Sequence, residues 1–287
     1  MASTVKRRRL SGKVHDRIEC TILYILLVLI AACFILPVLF MFLSSFKTSS
    51  ELFQVPMKWL PSRIQFDNYK GVFDTIPFWT YLKNTVIIVF FNIIGSVFSS
   101  AFVAYGFSRL RWKWREKVFA IVLVTMILPY QVTLIPQYII FSKLNWVGTF
   151  LPLTVTCFFG NSMYIFLMRQ FFLGIPIELS EAARIDGSGE FRIFAQILLP
   201  CSRPVLVTVG VFAFLKTWND YVGPLVFLSD QKLYTLSLGA KMLQSNLDPN
   251  WDLLMALGSM MVLPVLIIFF CLQKYFIQGV TMSGIKG

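Results

Sequence analysis

Residues 86–107 read VIIVFFNIIGSVFSSAFVAYGF and contain no charged side chain. An α-helix rises 1.5 Å per residue, so about 20 such residues cross the ~30 Å hydrocarbon core of a bilayer. A window this long and this evenly apolar does not fit the alternating strands of a membrane barrel. Because backbone groups in lipid must be hydrogen-bonded internally, the window predicts a transmembrane helix.

The same criterion finds further apolar windows along the chain. The six predicted spans are 20–43, 86–107, 118–140, 150–168, 205–228 and 253–272. Hydrophobic residues make up 57% of the chain and charged residues 14%, against roughly 25% charged residues in a soluble domain. The composition therefore excludes a soluble globular protein and predicts an all-α polytopic membrane protein with six transmembrane helices.

The spans divide the chain into segments. We expect an amino-terminal tail at 1–19, a first transmembrane helix at 20–43, an external loop at 44–80, a transmembrane domain at 81–272 and a carboxyl-terminal tail at 273–287. Lys and Arg concentrate in both tails and in the links after the second and fourth spans, and the formal net charge is +12. The positive-inside rule therefore predicts that both termini lie in the cytoplasm. Cations at the ends of spans fit anionic lipid headgroups, so nucleic-acid binding is not expected.

The first window has an alternative interpretation that stays open. A basic tail followed by apolar residues also begins a secretory signal, and Ile30-Ala31-Ala32-Cys33 resembles a lipoprotein processing site. The uncharged run continues to Leu43, however, which makes it longer than a signal core. We therefore expect an uncleaved spanning helix.

Residue types for catalysis or metal binding are scarce. The single histidine, His15, lies in the basic tail, and the five cysteines show no metal-ligand spacing. Gly12-Lys13 is followed by Val14 and lacks the preceding glycine of a phosphate-binding loop. The acidic residues are scattered through loops rather than paired in an apolar pocket. We expect no enzyme, no metal site and no nucleotide site, so energy for any pumping comes from another subunit.

The link between the fourth and fifth spans is the most informative stretch, at residues 176–200. Pro176 suits a helix start and Gly187 suits a left-handed turn after a helix, so a short helix is predicted at 177–186. One stripe of this helix combines acidic, small and aliphatic side chains at spacings of three, four and seven residues: Glu178, Glu181, Ala182 and Ile185. A second helical stretch is predicted at 191–199. Such a surface suits docking into a groove, and a connection lying along the lipid headgroups fits the amphipathicity equally well.

A motif in this link resembles that of a known family. Glu181-Ala182-Ala183 is followed after three residues by Gly187 and after nine more by Ile197-Leu198-Leu199-Pro200. The pattern resembles the EAA signature of permease subunits of bacterial ABC importers, in which this loop is the coupling helix held by the ATPase subunit. Further stretches are similar to carbohydrate importers of the maltose type: Ser45-Phe46-Lys47-Thr48, Asn68-Tyr69, Asn84-Thr85, 104–110, Ile135-Pro136, 169–172, Trp218-Asn219-Asp220 and Gly279-Val280-Thr281.

The resemblance implies roles for individual residues. Glu181 is expected to form the ionic contact with the ATPase, and Ala182 and Ala183 are expected to form a close-approach surface. Gly187 is expected to turn the chain back to the membrane. The full set assigned to ATPase coupling is Glu178, Glu181, Ala182, Ala183, Ile185, Asp186 and Gly187. The resemblance also implies that the carboxyl-terminal tail reaches the ATPase through Thr281, Gly284 and Lys286.

Two charges fall within a predicted span, Lys216 and Asp220, four residues apart on one helix face. Charge in a membrane costs about 2.5 to 3.5 kcal/mol on insertion scales, so such residues usually face the bundle interior or a wet cavity. Two interpretations stay open, a structural pair at a helix break and a lining of a translocation pathway. The candidates for that lining are Gln131, Asn161, Trp218, Asn219 and Asp220.

The interpretation that follows is a permease subunit of an ATP-driven sugar importer in the bacterial inner membrane, forming half of the pathway. Expected partners are a second homologous permease, two ABC ATPase subunits, an external sugar-binding protein and membrane lipid. The chain itself is expected to bind no cofactor, because ATP and Mg²⁺ are used by the ATPase subunits. The alternatives are an ion-coupled secondary transporter or channel, which needs an inverted repeat or a buried coupling acid, and a membrane-embedded enzyme, which needs catalytic side chains.

Overall fold

The computed structural model describes the backbone of residues 2–244 and 249–284 and the side chains of residues 19–244 and 249–274. All regular elements in these described residues are helical, which confirms the predicted all-α fold class. The α-helices are α1 (Ala2–Ser44), α2 (Ser49–Leu52), α3 (Asp67–Thr75), α4 (Phe78–Ser108), α5 (Arg115–Thr125), α6 (Tyr130–Lys143), α7 (Leu151–Thr154), α8 (Ser162–Gly174), α9 (Glu178–Ile185), α10 (Glu190–Arg192), α11 (Leu199–Cys201), α12 (Arg203–Trp218), α13 (Val222–Phe227), α14 (Leu236–Gln244) and α15 (Trp251–Gly284). Short 3-10 turns lie at Val155–Phe159 and Gln231–Leu233, and a π-helical turn lies at Ile193–Leu198.

Membrane-spanning candidates follow from helix length and hydropathy. Within the described residues, four helical stretches qualify on their own: Glu19–Ser44, Phe78–Ser108, Leu151–Gly174 and Trp251–Lys274. Two bent pairs qualify when each is taken together, Arg115–Thr125 with Tyr130–Lys143 at 96° and Glu190–Cys201 with Arg203–Trp218 at 81°. Counting each bent pair as one span gives six, in agreement with the six predicted windows.

The third predicted span, 118–140, contains Pro129 and Pro136, which predict a kink, and it is bent by 96° between α5 and α6. α5 ends at Thr125 and α6 begins at Tyr130. Pro129 precedes α6 with ψ of 140°, an extended conformation. Proline has no N–H to donate and disfavours the helical conformation in the residue before it, so the helix is interrupted here.

The fifth predicted span, 205–228, ends earlier than expected. α12 stops at Trp218, and α13 begins only at Val222. Between them, the Asp220 Oδ1 atom accepts a hydrogen bond from the Gly223 N–H at 3.1 Å. The carboxylate therefore satisfies a backbone donor at the start of α13, as capping residues do, and marks the break.

The first and last helices extend beyond the windows that predicted them. α1 begins at Ala2 instead of residue 20, and α15 continues to Gly284 instead of ending at 272. Lys, Arg and Gln are good helix formers, and adding residues to an existing helix avoids a second nucleation step. The backbone of both predicted tails is therefore helical over most of its length.

The described residues form two compact units, one of residues 2–72 with 249–259 and one of residues 73–244 with 260–284. In the smaller unit, two of the motifs quoted above meet. The Asn68 amide donates to the carbonyls of Ser45 and Lys47, both at 2.8 Å, and the Tyr69 and Ser45 hydroxyls lie 2.7 Å apart. These contacts fasten the external loop to the end of α1.

In the larger unit, α4 is the central helix and packs against α8 and α12. Its small side chains allow close approach: a Cβ atom on Gly95 would lie 2.3 Å from Cys157 Sγ, so a larger residue there would force Cys157 or Phe158 to shift. The buried core around α4 comprises Ala101, Ala104, Tyr105, Phe107, Phe119, Tyr164, Ile165, Met168, Phe172, Phe194, Leu198, Val205, Val209 and Ala213.

Candidate functional site

The predicted short helix in the link is present as α9, Glu178–Ile185. Gly187 follows it with φ of 81°, a left-handed conformation that glycine adopts without strain. The Ser188 N–H donates to the Ala183 carbonyl at 2.9 Å and the Gly187 N–H donates to the Arg184 carbonyl at 3.0 Å. These bonds satisfy the last carbonyls of the helix in the manner of a Schellman motif, which confirms the predicted turn.

α9 exposes one face and buries the other. The predicted stripe of Glu178, Glu181, Ala182 and Ile185 is exposed, and Ile185 reaches 87% exposure. Asp186, which ends the helix, is exposed as well. Ala183 corrects the sequence-based prediction, because it is 7% exposed and packs inside its own chain. Neighbouring residues of a helix point about 100° apart, so two adjacent alanines cannot both lie at the centre of one face.

An acidic side chain connects α9 to the membrane helix α4. The Glu190 carboxylate accepts two hydrogen bonds from the Arg184 guanidinium, at 2.7 Å and 3.2 Å. The Tyr105 hydroxyl of α4 donates to the same carboxylate. The bonds to the Glu190 carboxylate raise the pKa of Arg184, so this guanidinium is charged at neutral pH.

A buried arginine at the end of α4 holds the end of α8. Arg109 is 5% exposed, and its Nη2 atom donates to the carbonyls of Phe172 at 2.7 Å and Ile175 at 2.8 Å. Burial lowers the pKa of this guanidinium. Carbonyls at a helix C-terminus lack helical partners, and a cation there also suits the helix dipole.

A second buried arginine lies on α8. Arg169 is 7% exposed; its Nε atom donates to the Phe107 carbonyl at 3.1 Å, and its Nη2 atom lies 2.8 Å and 2.9 Å from the two carboxylate oxygens of Glu116. The guanidinium also lies 4.0 Å from the centre of the Phe119 ring. Arg109 and Arg169 thus join the cytoplasmic ends predicted for α4, α5 and α8.

Sequence reasoning missed most of this network. Tyr105, Arg109 and Arg169 occur in the motifs quoted above but carried no assigned role, and Glu116 and Glu190 were not singled out. The signal in the sequence was the position of an arginine directly at the end of a long apolar span. Its partners are main-chain carbonyls, which no residue pattern identifies.

A cavity of about 230 Å³ lies in the larger unit, with both polar and apolar walls. α4, α6, α12 and α13 contribute to it. Its polar lining includes Thr85, Asn92, Tyr130, Gln137, Lys216 and Asp220. Asp220 and Lys216 therefore line the same cavity. The bond from the Gly223 N–H to Asp220 supports the structural interpretation of a helix break, and a role in a translocation pathway stays a prediction.

Three of the predicted lining residues make hydrogen bonds to the backbone, and their place along a pathway stays a prediction. Asn161 caps α8, because its Oδ1 atom accepts from the N–H groups of the next helical turn at 3.1 Å and 3.3 Å. Trp218 is 4% exposed and its indole N–H donates to the Met261 carbonyl at 3.1 Å. The Asn219 amide donates to the Leu215 carbonyl at 2.8 Å. Polar groups at helix ends near lipid are often recruited to satisfy the backbone.

The remaining predicted site residues either lie outside the cavity lining or have no described side chain. Gln131 is exposed and is not among the lining residues described for the cavity. Gln137 of the same helix lines the cavity. Thr281 and Gly284 lie in the last turns of α15, where the structure describes the backbone alone. Lys286 lies outside the described residues, so the predicted contact of the tail with an ATPase stays a prediction.

Comparisons with known proteins identify the family of the chain. Residues 96–282 match the family model described as the inner membrane component of binding-protein-dependent transport systems. The arabinooligosaccharides transport system permease protein AraQ of Halalkalibacterium halodurans is 33% identical over 90% of this chain and 93% of its own length. The diacetylchitobiose uptake system permease protein DasC of Streptomyces coelicolor is 28% identical over 98% of this chain and 100% of its own length.

A solved structure supports the same conclusion. The fold is similar, with a TM-score of 0.79 and 26% identity, to a chain in the crystal structure of a bacterial ABC transporter involved in the import of the acidic polysaccharide alginate, and the match covers 91% of this chain and 97% of that one. The likeness favours an ABC importer permease over the secondary transporter or channel that the sequence left open. The chain belongs to the family of inner membrane components of binding-protein-dependent transport systems.

Proposed function

We propose that this chain is one permease half of an ATP-driven sugar importer of the bacterial inner membrane. It pairs with a second homologous permease, is driven by two ABC ATPase subunits and receives its sugar from an external binding protein. Both termini face the cytoplasm. The observation that carries the proposal is α9, a short exposed helix that ends at Gly187 and is bonded through Glu190 to a membrane helix.

The exposed face of α9 is the docking surface for an ATPase subunit. Glu178 and Glu181 supply charge, Ala182 allows close approach, and Ile185 offers an aliphatic side chain that is 87% exposed in the isolated chain. Burying an aliphatic side chain of this size contributes about 1.5 to 3 kcal/mol. A helix seated in a groove in this way moves with the subunit that holds it.

The chain binds no nucleotide in this proposal. ATP and Mg²⁺ act in the ATPase subunits, and closure of those subunits displaces α9 as a rigid body. Thr281, Gly284 and Lys286 of the carboxyl-terminal tail add a second contact with the same subunits. Asp186 and Gly187 end the helix and return the chain to the membrane.

The cavity of about 230 Å³ forms part of the translocation pathway. Sugars carry many hydroxyl groups, and the lining offers donors and acceptors in Gln137, Lys216 and Asp220. Asn92 donates its amide N–H groups to the carbonyls of Ile88 at 3.0 Å and Leu153 at 2.7 Å. Among the described residues its carbonyl oxygen therefore remains available to accept from a sugar hydroxyl. A sugar as the substrate also agrees with the relatives, which are permeases of transport systems for arabinooligosaccharides and diacetylchitobiose.

A two-part experiment tests the proposal. The tagged chain is purified from its own membranes, and an ABC ATPase and a second permease are expected to accompany it. A strain lacking the chain is then tested for uptake of labelled arabinotriose, diacetylchitobiose and maltotriose, with sn-glycerol-3-phosphate as a compound that is not a sugar. Loss of ATP-dependent uptake of at least one of the three sugars supports the proposal, whereas purification without an ATPase together with unchanged sugar uptake contradicts it.

A further inference from the structure

The Glu190 carboxylate binds two side chains from two different elements. Arg184 of α9 donates to both of its oxygens, at 2.7 Å and 3.2 Å, and Tyr105 of α4 donates to one of them. Arg184 and Glu190 are partly exposed, whereas Tyr105 is 4% exposed. The carboxylate thus bridges a surface helix and a buried position on a membrane helix.

The aromatic packing around this bridge fixes the position of Tyr105. Its ring lies 5.2 Å from the ring of Phe194, centroid to centroid, and Phe194 is 2% exposed in the π-helical turn that follows Glu190. The Tyr105 hydroxyl is therefore held close to the carboxylate by packing as well as by the hydrogen bond. Hydrogen bonds to ionised groups are roughly twice as strong as neutral ones.

α4 leads from this bridge directly to the cavity. The helix runs without interruption over Phe78–Ser108, and Thr85, Ile88 and Asn92 line the cavity. Residues 92 and 105 are about 20 Å apart along the helix at 1.5 Å per residue. At the same end of α4 as Tyr105, the Arg109 guanidinium donates to the carbonyls of Phe172 and Ile175. These bonds connect the C-terminal ends of α4 and α8.

We infer that Glu190 is a positioning residue that couples α9 to α4, so that displacement of the docking helix is transmitted through Arg184, Glu190 and Tyr105 to the wall of the cavity. The inference rests on the proposed function. Without the bridge, α9 remains connected to the membrane helices through its flanking backbone and its buried face. It then follows the ATPase without carrying α4 along, and ATP hydrolysis is uncoupled from transport.

The test uses the intact complex, reconstituted in proteoliposomes with its permease partner, ATPase subunits and binding protein. Two variants remove different arms of the bridge, Tyr105→Phe and Glu190→Gln. Tyr105→Phe keeps the ring that packs against Phe194 and removes the hydroxyl alone. ATP hydrolysis is followed by phosphate release, and uptake is followed with the compound of the panel above that the wild-type complex transports fastest.

Each variant is expected to lower uptake at least fivefold while ATP hydrolysis falls less than twofold, so the ratio of ATP consumed to sugar transported rises. A purely structural defect moves both rates together. Tyr81→Phe is the matched control for the tyrosine, because Tyr81 is also buried on α4 and its hydroxyl faces Met242 instead. Arg192→Gln is the control for charge, because Arg192 pairs with Gln196 on the exposed side of the same segment.

A charge exchange tests the pairing directly. Arg184→Glu and Glu190→Arg are each expected to raise the ratio of ATP to sugar, and the double variant is expected to bring it at least halfway back to the wild-type value. Wild-type ratios in both Tyr105→Phe and Glu190→Gln, or a parallel loss of hydrolysis and uptake, overturn the inference and leave the proposed function standing. A wild-type complex that contains no ATPase overturns the proposed function, and the inference falls with it.

Discussion

Ala182 and Ala183 are adjacent in α9 but differ in exposure: Ala182 is exposed, whereas Ala183 is 7% exposed and packs within its own chain. The two alanines of the motif therefore have different environments, one on the exposed face of α9 and one on its buried face. In the proposed function Ala182 belongs to the surface that an ATPase approaches, whereas Ala183, with Ser180 at 1% exposure, packs α9 against the rest of the chain. Small residues suit both tasks, because both faces require a close approach.

This difference predicts distinct defects for one substitution at the two positions. Ala182→Leu is expected to leave the chain folded and inserted while weakening the ATPase contact by about 1 to 3 kcal/mol, the usual cost of overpacking. Ala183→Leu is expected to lower the stability of the permease itself by about the same amount. ATPase retention in a pull-down and thermal unfolding of the purified chain separate the two effects. Loss of ATPase with no change in unfolding for both variants would contradict the assignment of Ala183.

The turn after α9 predicts an order of tolerance at Gly187. The left-handed φ of 81° costs a side-chain-bearing residue roughly 1 to 2 kcal/mol, and no atom lies within 4 Å of a Cβ built there. Strain in the backbone is therefore the whole cost. Gly187→Asn is expected to keep the most uptake, Gly187→Ala less and Gly187→Val the least, because Asn tolerates this conformation best and β-branched residues worst.

The neighbouring Gly189 provides the control for this series. Its φ of −72° is open to any residue, and a Cβ there also meets no atom within 4 Å. Gly189→Ala is therefore expected to keep uptake within twofold of the wild type. Equal losses for Gly187→Ala and Gly189→Ala would show that side-chain volume in the link, rather than backbone conformation, limits uptake.

The sequence was sufficient to predict the spans and the short helix of the link. Apolar windows of this length cross lipid as helices, because their backbone groups must be hydrogen-bonded internally. Pro176 precedes α9 and Gly187 follows it, so both ends of this helix were marked in the sequence. The break after Thr125 was less predictable, because a proline inside an apolar window is compatible with a kink, a break or a continuous helix. The early end of α12 depends on Asp220 acting as a cap, which the sequence allowed as one of two interpretations.

The contacts of the site were harder to predict than its location. Tyr105 and Glu190 are separated by 85 residues, and Arg109 binds carbonyls 63 and 66 residues away. Such pairings depend on how the helices pack, which local periodicity does not specify. Asn161 and Trp218 were assigned to the pathway because polar atoms in a span are costly, yet each satisfies that cost with a backbone group nearby in the fold.

The contact between α4 and the turn at Val155–Phe159 predicts a strong effect of a single methyl group. Gly95→Ala would place a Cβ 2.3 Å from Cys157 Sγ and 2.9 Å from the Phe158 ring, so the turn must shift. Overpacking of this kind costs about 1 to 3 kcal/mol and is expected to lower the unfolding temperature. Gly210→Ala is the control, because its Cβ would meet its nearest neighbours at an ordinary 3.8 Å.

A second substitution locates the clash. Cys157→Ala removes the sulfur that the new methyl group meets, so the double variant is expected to recover part of the stability lost in Gly95→Ala. Recovery is partial, because the Phe158 ring remains within 2.9 Å. An additive double variant, with no recovery at all, would mean that Cys157 does not contact α4 as described.

The cavity predicts that two glutamines of α6 differ in their effect on transport. Gln137 lines the cavity, whereas Gln131 is exposed and lies outside the lining described for it. Gln137→Ala removes a donor and an acceptor for sugar hydroxyls and is expected to raise the KM for uptake by about 2- to 13-fold, since a hydrogen bond contributes about 0.5 to 1.5 kcal/mol. Gln131→Ala, the matched control on the same helix, is expected to leave KM within twofold.

Asp220 extends this prediction to a residue that both lines the cavity and accepts a hydrogen bond from the start of α13. Asp220→Asn keeps an oxygen that can accept from the Gly223 N–H at the start of α13, so the chain is expected to fold while transport changes through the lost charge beside Lys216. Asp220→Ala removes the cap as well and is expected to cost a further ~1 kcal/mol of stability. Thermal unfolding therefore separates the two variants, and uptake kinetics separate Asp220→Asn from the wild type. Wild-type KM and transport rate in both Gln137→Ala and Asp220→Asn would exclude the cavity from the pathway, because a solute passing through it has to meet both side chains.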